Sequence, residues 1–165
     1  REKVGRLDEV DWVVCNSRPL DLVREETVMY LAADGFINLE TGESIDIAEM
    51  LHKHKRVKAV CGIGNPRRFL SSLGDLGFVV DPQIFKDHHE FVESDLVFED
   101  EISIVCTEKD AIKIQNLEIS KANIFYLKVS VSMSSEASEK LVSLLSRREI
   151  EPLQRQNEVP KTKVN

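Results

Sequence analysis

The stretch Val57–His89 limits what this chain can become. It opens on an apolar run, Val57, Ala59, Val60, Cys61 and Ile63, which reads as a strand. The run ends in Gly62-Ile63-Gly64-Asn65-Pro66, the makings of a sharp turn into a helix. Asn65 is placed to cap that helix. Pro66 fits its first turn, where a missing N–H costs nothing. Arg67 and Arg68 follow at once, and free helix amides beside cations favour an anion. After the helix and a second strand the chain delivers Asp87, His88 and His89 side by side.

The rest of the chain repeats this alternation. Val10–Cys15 reads as a strand that ends near Asn16 and Pro19. Thr27–Leu31 and Phe36–Leu39 flank Asp34-Gly35, so residues 27–39 are predicted to form a β-hairpin arm. Ser44–His54 is predicted helical, with His52 and His54 at a solvated helix end. Ile102–Cys106 is a strand that runs into Thr107-Glu108-Lys109-Asp110 and then a helix over Ala111–Asn116. Asn123–Val131 is a last strand. Glu136–Arg148 is a last helix with Ala137, Leu141, Leu144 and Leu145 on one stripe. The fold class expected is α/β, with one core and a mainly parallel sheet flanked by helices and joined by right-handed crossovers. Residues 149–165 are polar and are expected to be a disordered tail.

Composition removes several functions. The net charge of −7 argues against nucleic-acid partners, which need a basic face. No apolar run is long enough to span a membrane, and the first residues have no leader-like core. Cys15, Cys61 and Cys106 are odd in number, widely spaced and set in apolar runs. They read as small buried hydrophobes rather than as disulfides or zinc ligands. No GxxxxGK[ST], GxSxG or full GxGxxG is present.

The polar clusters at strand ends are Asn16, then Gly64-Asn65 with Arg67 and Arg68, then Thr107–Asp110. With Asp87-His88-His89 they describe an anion pocket beside an imidazole able to move protons near neutrality. Plainer readings stand beside these. Asn65-Pro66 also reads as a helix cap alone, and Thr107–Asp110 as a capping segment with a solvated charge pair. Asp87-His88-His89 also reads as structural. A metal hydrolase built on Asp87, His88 and His89 lacks further ligands in the sequence, so no metal site is assigned to this chain.

Three ordered motifs resemble one family. Gly62-Ile63-Gly64-Asn65-Pro66-Arg67-Arg68-Phe69, Phe85-Lys86-Asp87-His88-His89-Glu90-Phe91 and Thr107-Glu108-Lys109-Asp110-Ala111-Ile112-Lys113 together are similar to the lipid A 4'-kinases, the tetraacyldisaccharide 4'-kinase family. Leu7–Asn16 resembles that family's strand running to Asn, and Arg1-Glu2 its Arg-Glu pair. The resemblance covers about residues 1–148. Leu70 stands where a second Phe is usual, and Lys86 where a Pro is common.

The resemblance implies a P-loop-type kinase. It would use ATP and Mg²⁺ to phosphorylate the 4' hydroxyl of a tetraacyldisaccharide 1-phosphate, the lipid A disaccharide precursor, at the cytoplasmic face of the bacterial inner membrane. It carries catalysis onto His88 with Asp87, with His89 as the alternative imidazole. It carries nucleotide or phosphate contacts onto Arg1, Glu2, Asn65 and Arg68. Substrate-side contacts fall to His89, Thr107, Glu108, Lys109 and Asp110. It also implies that this chain is the C-terminal portion of such a kinase. The P-loop half, missing from this chain, would carry the main ATP and Mg²⁺ ligands, the aspartate that pairs with the catalytic histidine, and the membrane contact. The chain alone is therefore expected to be soluble and inactive. The competing expectation is a non-catalytic remnant that binds an anionic glycolipid or a protein.

Overall fold

The structure, a computed structural model, describes residues 3–21 and 26–150. Arg1, Glu2 and the predicted tail from residue 151 onward lie outside the described residues. The chain divides into two compact units rather than around the single core expected. Residues 31–130 form one. The two flanking stretches, up to residue 30 and from residue 131, form the other.

The 31–130 unit is a doubly wound sheet. Its strands are β4 (Arg56–Cys61), β5 (Val79–Ile84), β6 (Ser103–Thr107) and β7 (Ile124–Ser132), in the order β7-β6-β4-β5, and each neighbouring pair is parallel. A short β3 (Ser44–Ile45) and the second half of the long strand β2 (Glu26–Asn38) complete it. The expected parallel sheet with flanking helices is what forms.

The alternation of the strand residues sorts two cores. Val57, Ala59, Cys61, Val105, Phe125 and Leu127 face one side, with Phe69 and Leu73 of α2 (Pro66–Asp75) and Met50 of α1 (Ile47–Lys53). Val60, Ile104, Cys106 and Ile124 face the other, with Ala111 and Ile114 of α3 (Glu108–Ile114). β4 is buried on both faces from Val57 onward, which is why its sequence is a nearly unbroken apolar run. Pro82 is tolerated because β5 is an edge strand with no further ladder to serve.

Lys58 is the exception in β4. It sits in register with Asp81, donates to that carboxylate at 2.9 Å, reaches Asp100 at 3.1 Å and lies over the Phe98 ring. The hydrogen bond to Asp81 raises the Lys58 ammonium above its ordinary value and lowers the Asp81 carboxyl. A buried cation is stable here because both its charge and its donors are matched.

The predicted hairpin at Asp34-Gly35 is not formed. The chain runs straight through as β2, and reversal comes later, after Asn38. Asn38 makes that turn, its Oδ1 accepting from the Glu40 and Thr41 amides while Nδ2 donates to the Ala122 carbonyl. Gly35 is needed for another reason. Its φ is +117°, and a Cβ there would sit 2.9 Å from the Ile45 carbonyl oxygen. Asp34 instead pairs with Lys128 of β7 at 2.8 Å.

The first predicted helix is shorter than expected, because Ser44-Ile45 pair with β2 and Asp46 caps α1 through the Glu49 amide. His54 is not solvated. Its Nδ1 lies 2.8 Å from Ser103 Oγ and its ring rests against Phe125. The helix predicted over Ala111–Asn116 starts earlier, at Glu108.

In the other unit, β1 (Val13–Asn16) pairs in parallel with the start of β2. Trp12 Nε1 donates to Thr27 Oγ1 at 2.8 Å, and Glu26 Oε2 accepts the Leu20 and Asp21 amides. The last helix, α4, spans Ser135–Ile150, taking in the first two residues of the predicted tail. Of its predicted stripe, Ala137 is buried and Leu144 half-buried, while Leu141 and Leu145 are exposed. Cys15, Cys61 and Cys106 are all buried free thiols, as read from their apolar settings. No helix among the described residues is long and apolar enough to cross a membrane.

Two outcomes are expected. Gly35→Ala should lower stability by about 1–3 kcal/mol in urea unfolding, because the new Cβ meets backbone that cannot yield. Burial, and then the Lys53 charge, hold His54 below its ordinary value of 6.5. The unfolded chain therefore takes the proton first. This contribution is complete above about pH 6.5 and shrinks as pH falls toward the folded value. Melting followed from about pH 7 to about pH 5.5 should show a steeper decline for the unaltered chain than for His54→Gln. Equal slopes would rule this contribution out.

Candidate functional site

The three motif segments converge at the carboxyl ends of β4 and β6. These adjacent strands connect onward in opposite directions, β4 to β5 on one side and β6 to β7 on the other. This is the switch point where open α/β sheets leave a crevice.

Asp110 ties the two strand ends together. It is 1% exposed, and its Oδ2 accepts from the Gly62 amide at 3.1 Å and from Thr107 Oγ1 at 2.7 Å. Thr107 caps α3 by accepting the Asp110 amide. The segment does cap a helix and leaves Glu108 and Lys109 exposed, as the plainer reading has it, while Asp110 is a buried link. Among the described residues its other oxygen, Oδ1, is buried without a hydrogen-bond partner. Burial and the Asp110 charge push the Cys61 thiol up to about 11, and burial first, then Asp110, raise Cys106 further. Both thiols stay protonated and unreactive at neutral pH.

The turn after β4 holds the Asp87–His89 loop by close approach. A Cβ at Gly62 would meet His89 Cβ at 3.1 Å, and one at Gly64 would meet Asp87 Oδ2 at 3.2 Å. The glycines are spent on this contact and not on a dinucleotide. The Gly62 carbonyl accepts the His88 amide at 3.1 Å.

The two histidines part ways. His89 stacks on Phe85, meets Phe91 edge-on, and donates from Nε2 to Asp95 Oδ2 at 2.8 Å. Its carbonyl accepts from Lys113 Nζ. The Val92 amide, and next the His89 ring, hold the Asp95 carboxyl below its ordinary value. His88 stands in the left-handed region at φ +59°, with its side chain 91% exposed and its Nε2 3.9 Å from Asp87 Oδ2. A non-glycine residue held there is strained, and the Gly62 and Asp87 contacts impose it.

Asn65 occupies the N-cap position of α2 with Pro66 in the first turn, as predicted, but its side chain makes no capping bond. It faces instead a cavity of about 500 Å³ inside the 31–130 unit. Leu31, Ala33, Ile63, Phe69, Leu127 and Val129 give this cavity apolar walls. Arg68, Thr107, Glu108 and Lys109 add polar groups to it. Among the described residues no three His, Cys, Asp or Glu side chains gather to hold a metal ion. Asn16 lies on β1 in the other unit.

Sequence reasoning missed Asp95 and Lys113, which lock His89. Their signal was faint: an Asp six residues beyond a histidine, and a Lys six residues past a capping Thr.

Comparison with known proteins gives this site a lineage. A family model described as tetraacyldisaccharide-1-P 4'-kinase matches residues 1–147. The tetraacyldisaccharide 4'-kinase of Ruthia magnifica subsp. Calyptogena magnifica is 36% identical over 141 residues, covering 86% of this chain and 42% of its own length. That of Francisella novicida is 34% identical over 143 residues, covering 81% and 43%. Among solved structures, LpxK from Aquifex aeolicus, crystallised in complex with ATP, superposes with a TM-score of 0.65 at 25% identity, over 89% of this chain and 45% of that one. The chain thus spans less than half the length of these relatives. With a match that runs through all three converging segments, the chain belongs to the tetraacyldisaccharide-1-P 4'-kinase family.

Proposed function

We propose that this chain is the C-terminal portion of a kinase that transfers the γ-phosphate of ATP to the 4' hydroxyl of tetraacyldisaccharide 1-phosphate in lipid A biosynthesis. It works at the cytoplasmic face of the bacterial inner membrane. The observation that carries this reading is His88, a strained and exposed imidazole presented by the glycine turn at the switch point.

In this reading His88 accepts the proton of the attacking hydroxyl. The Asp87 carboxylate stands 3.9 Å from its Nε2. The His89 ring is engaged with Asp95, Phe85 and Phe91, so it shapes the loop and leaves proton transfer to its neighbour. Arg68 and Lys109 attract the phosphates. Glu108 and Thr107 face the same cavity and serve as hydrogen-bonding groups for substrate. Asp110 acts through position, holding Gly62 and Thr107. Arg1 and Glu2 take the family's role near the phosphates.

Mg²⁺ would neutralise charge on the transferring phosphoryl group. The described residues gather no ligand set for it, so no step is derived through it on this chain. The sequence also lacks a P-loop, and the remaining machinery is assigned to a P-loop segment acting as partner.

The 165-residue chain, given ATP, Mg²⁺ and the acylated disaccharide, should show no turnover above background. Adding the P-loop segment of a family member should restore it. His88→Ala should then lower the restored rate by about 10²–10⁴-fold without changing the melting temperature. His89→Ala should instead cost about 1–3 kcal/mol of stability, because Asp95 loses a hydrogen-bond partner. Full activity in His88→Ala would sink the assignment. Absence of any restoration would favour a non-catalytic binding module.

A further inference from the structure

His88 does not hold itself in place. Its side chain is exposed, and its Nε2 stands 3.9 Å from Asp87, beyond hydrogen-bond reach. The aim of that imidazole is therefore set by the backbone that carries it, which stands at φ +59°. A left-handed histidine keeps that conformation only where its surroundings over-determine it. Two of the holds are backbone bonds. The His88 amide donates to the Gly62 carbonyl and the His89 amide to the Lys86 carbonyl, both at 3.1 Å. The other two holds act on His89. Lys113 Nζ donates to its carbonyl at 2.8 Å, and its ring Nε2 donates to Asp95 Oδ2 at 2.8 Å.

Asp95 is the fixed end of this arrangement. It lies in a short 3₁₀ turn, Glu93–Leu96, whose Leu96 is buried with Phe91 in the core on the α3 side. Its Oδ2 also accepts the Val92 amide at 2.9 Å, so the carboxylate is tied to the backbone as well as to the ring. Both bonds keep it ionised and hence an acceptor only, which puts a proton on His89 Nε2. The ring is then fixed between Phe85 and Phe91. On its other side His89 is pressed against Gly62, where a Cβ would meet its own at 3.1 Å. His89 is gripped from both sides, and the peptide that joins it to His88 has one orientation.

We infer that Asp95 is a positioning residue for the proton-accepting His88, acting through the His89 ring, with Lys113 as the second hold. The inference rests on the kinase reading for what His88 does. It goes beyond that reading by assigning the aim of His88 to two residues that bond its neighbour.

The test has two arms. The first needs no turnover: the Cα and Hα chemical shifts of residue 88 in the 165-residue chain report whether its backbone is left-handed. They should show this in the unaltered chain and in Asp95→Asn, whose amide oxygen still accepts from His89 and Val92. They should move to extended values in Asp95→Ala, while the amide shifts of Val60 and Val105 in the core strands stay unchanged. The second arm adds the P-loop segment of a family member. Asp95→Ala should lower kcat by about tenfold or more and leave KM for ATP and lipid within about twofold. Asp95→Asn should keep kcat within about threefold of the unaltered chain. Lys113→Met, which leaves the ring untouched, should change both readouts in the same direction as Asp95→Ala, and it replaces that variant if Asp95→Ala does not fold.

Extended values at residue 88 in the unaltered chain, or left-handed values retained in both Asp95→Ala and Lys113→Met, would overturn the inference. So would an unchanged kcat in both. Loss of kcat in Asp95→Asn equal to that in Asp95→Ala, with residue 88 still left-handed, would overturn it in favour of a charge effect. If the unaltered chain shows no restored turnover, the kinase reading fails, and the first arm still decides whether Asp95 aims His88.

Discussion

One buried carboxylate sets the geometry on which the site depends. Asp110 starts on α3, yet its Oδ2 takes the Gly62 amide from the end of β4 and the Thr107 hydroxyl from the end of β6. Those two strand ends must be in register for the crevice between them to have a shape. A negative charge there would be costly if unmatched, and two donors at close range offset it. Its influence reaches further, because the same charge helps keep the Cys61 and Cys106 thiols protonated. The turn it holds then holds the next loop: Gly62 admits His89, Gly64 admits Asp87, and the Gly62 carbonyl takes the His88 amide. A single anchoring interaction thus propagates through three segments far apart in the chain.

The division of labour between His88 and His89 follows from the same contacts. Two adjacent residues in an extended segment would point to opposite sides. Here His88 adopts a left-handed backbone, so one imidazole turns into an aromatic niche and the other into solvent. The niche is built by Phe85, Phe91 and Asp95, which leave His89 a hydrogen bond and two ring contacts. A structural histidine and an available one sit side by side, distinguished by neighbours and not by their own chemistry.

Much of the fold could be read from local pattern. The apolar runs at Val57 and Ile102 are strands buried on both faces, as is the first half of the run at Asn123, and unbroken apolar sequence reports that directly. Asn65-Pro66 marked a helix start correctly because proline geometry is local. Asp34-Gly35 misled, since the turn rule assumes glycine is there for a reversal. Here glycine serves close approach to the Ile45 backbone, a partner set by tertiary pairing. His54 misled for a similar reason: its basic neighbours suggested solvent, and Ser103, remote in sequence, supplied a partner. Asp110 was legible as a polar group near a site but not as its hub. The Gly62 amide it binds is 48 positions away, and no local signal announces such a bond.

The 31–130 unit is entered on β2 and left on β7. These strands are neighbours in one sheet, and the Asp34–Lys128 pair and the Leu39–Ile124 hydrogen bond run in opposite chain directions. The way in and the way out therefore lie side by side. A module whose ends meet can be spliced into a host loop without stretching the host, and can be exchanged as a cassette. In genetic terms the 31–130 unit reads as one small α/β fold carried between the two flanking stretches of the chain.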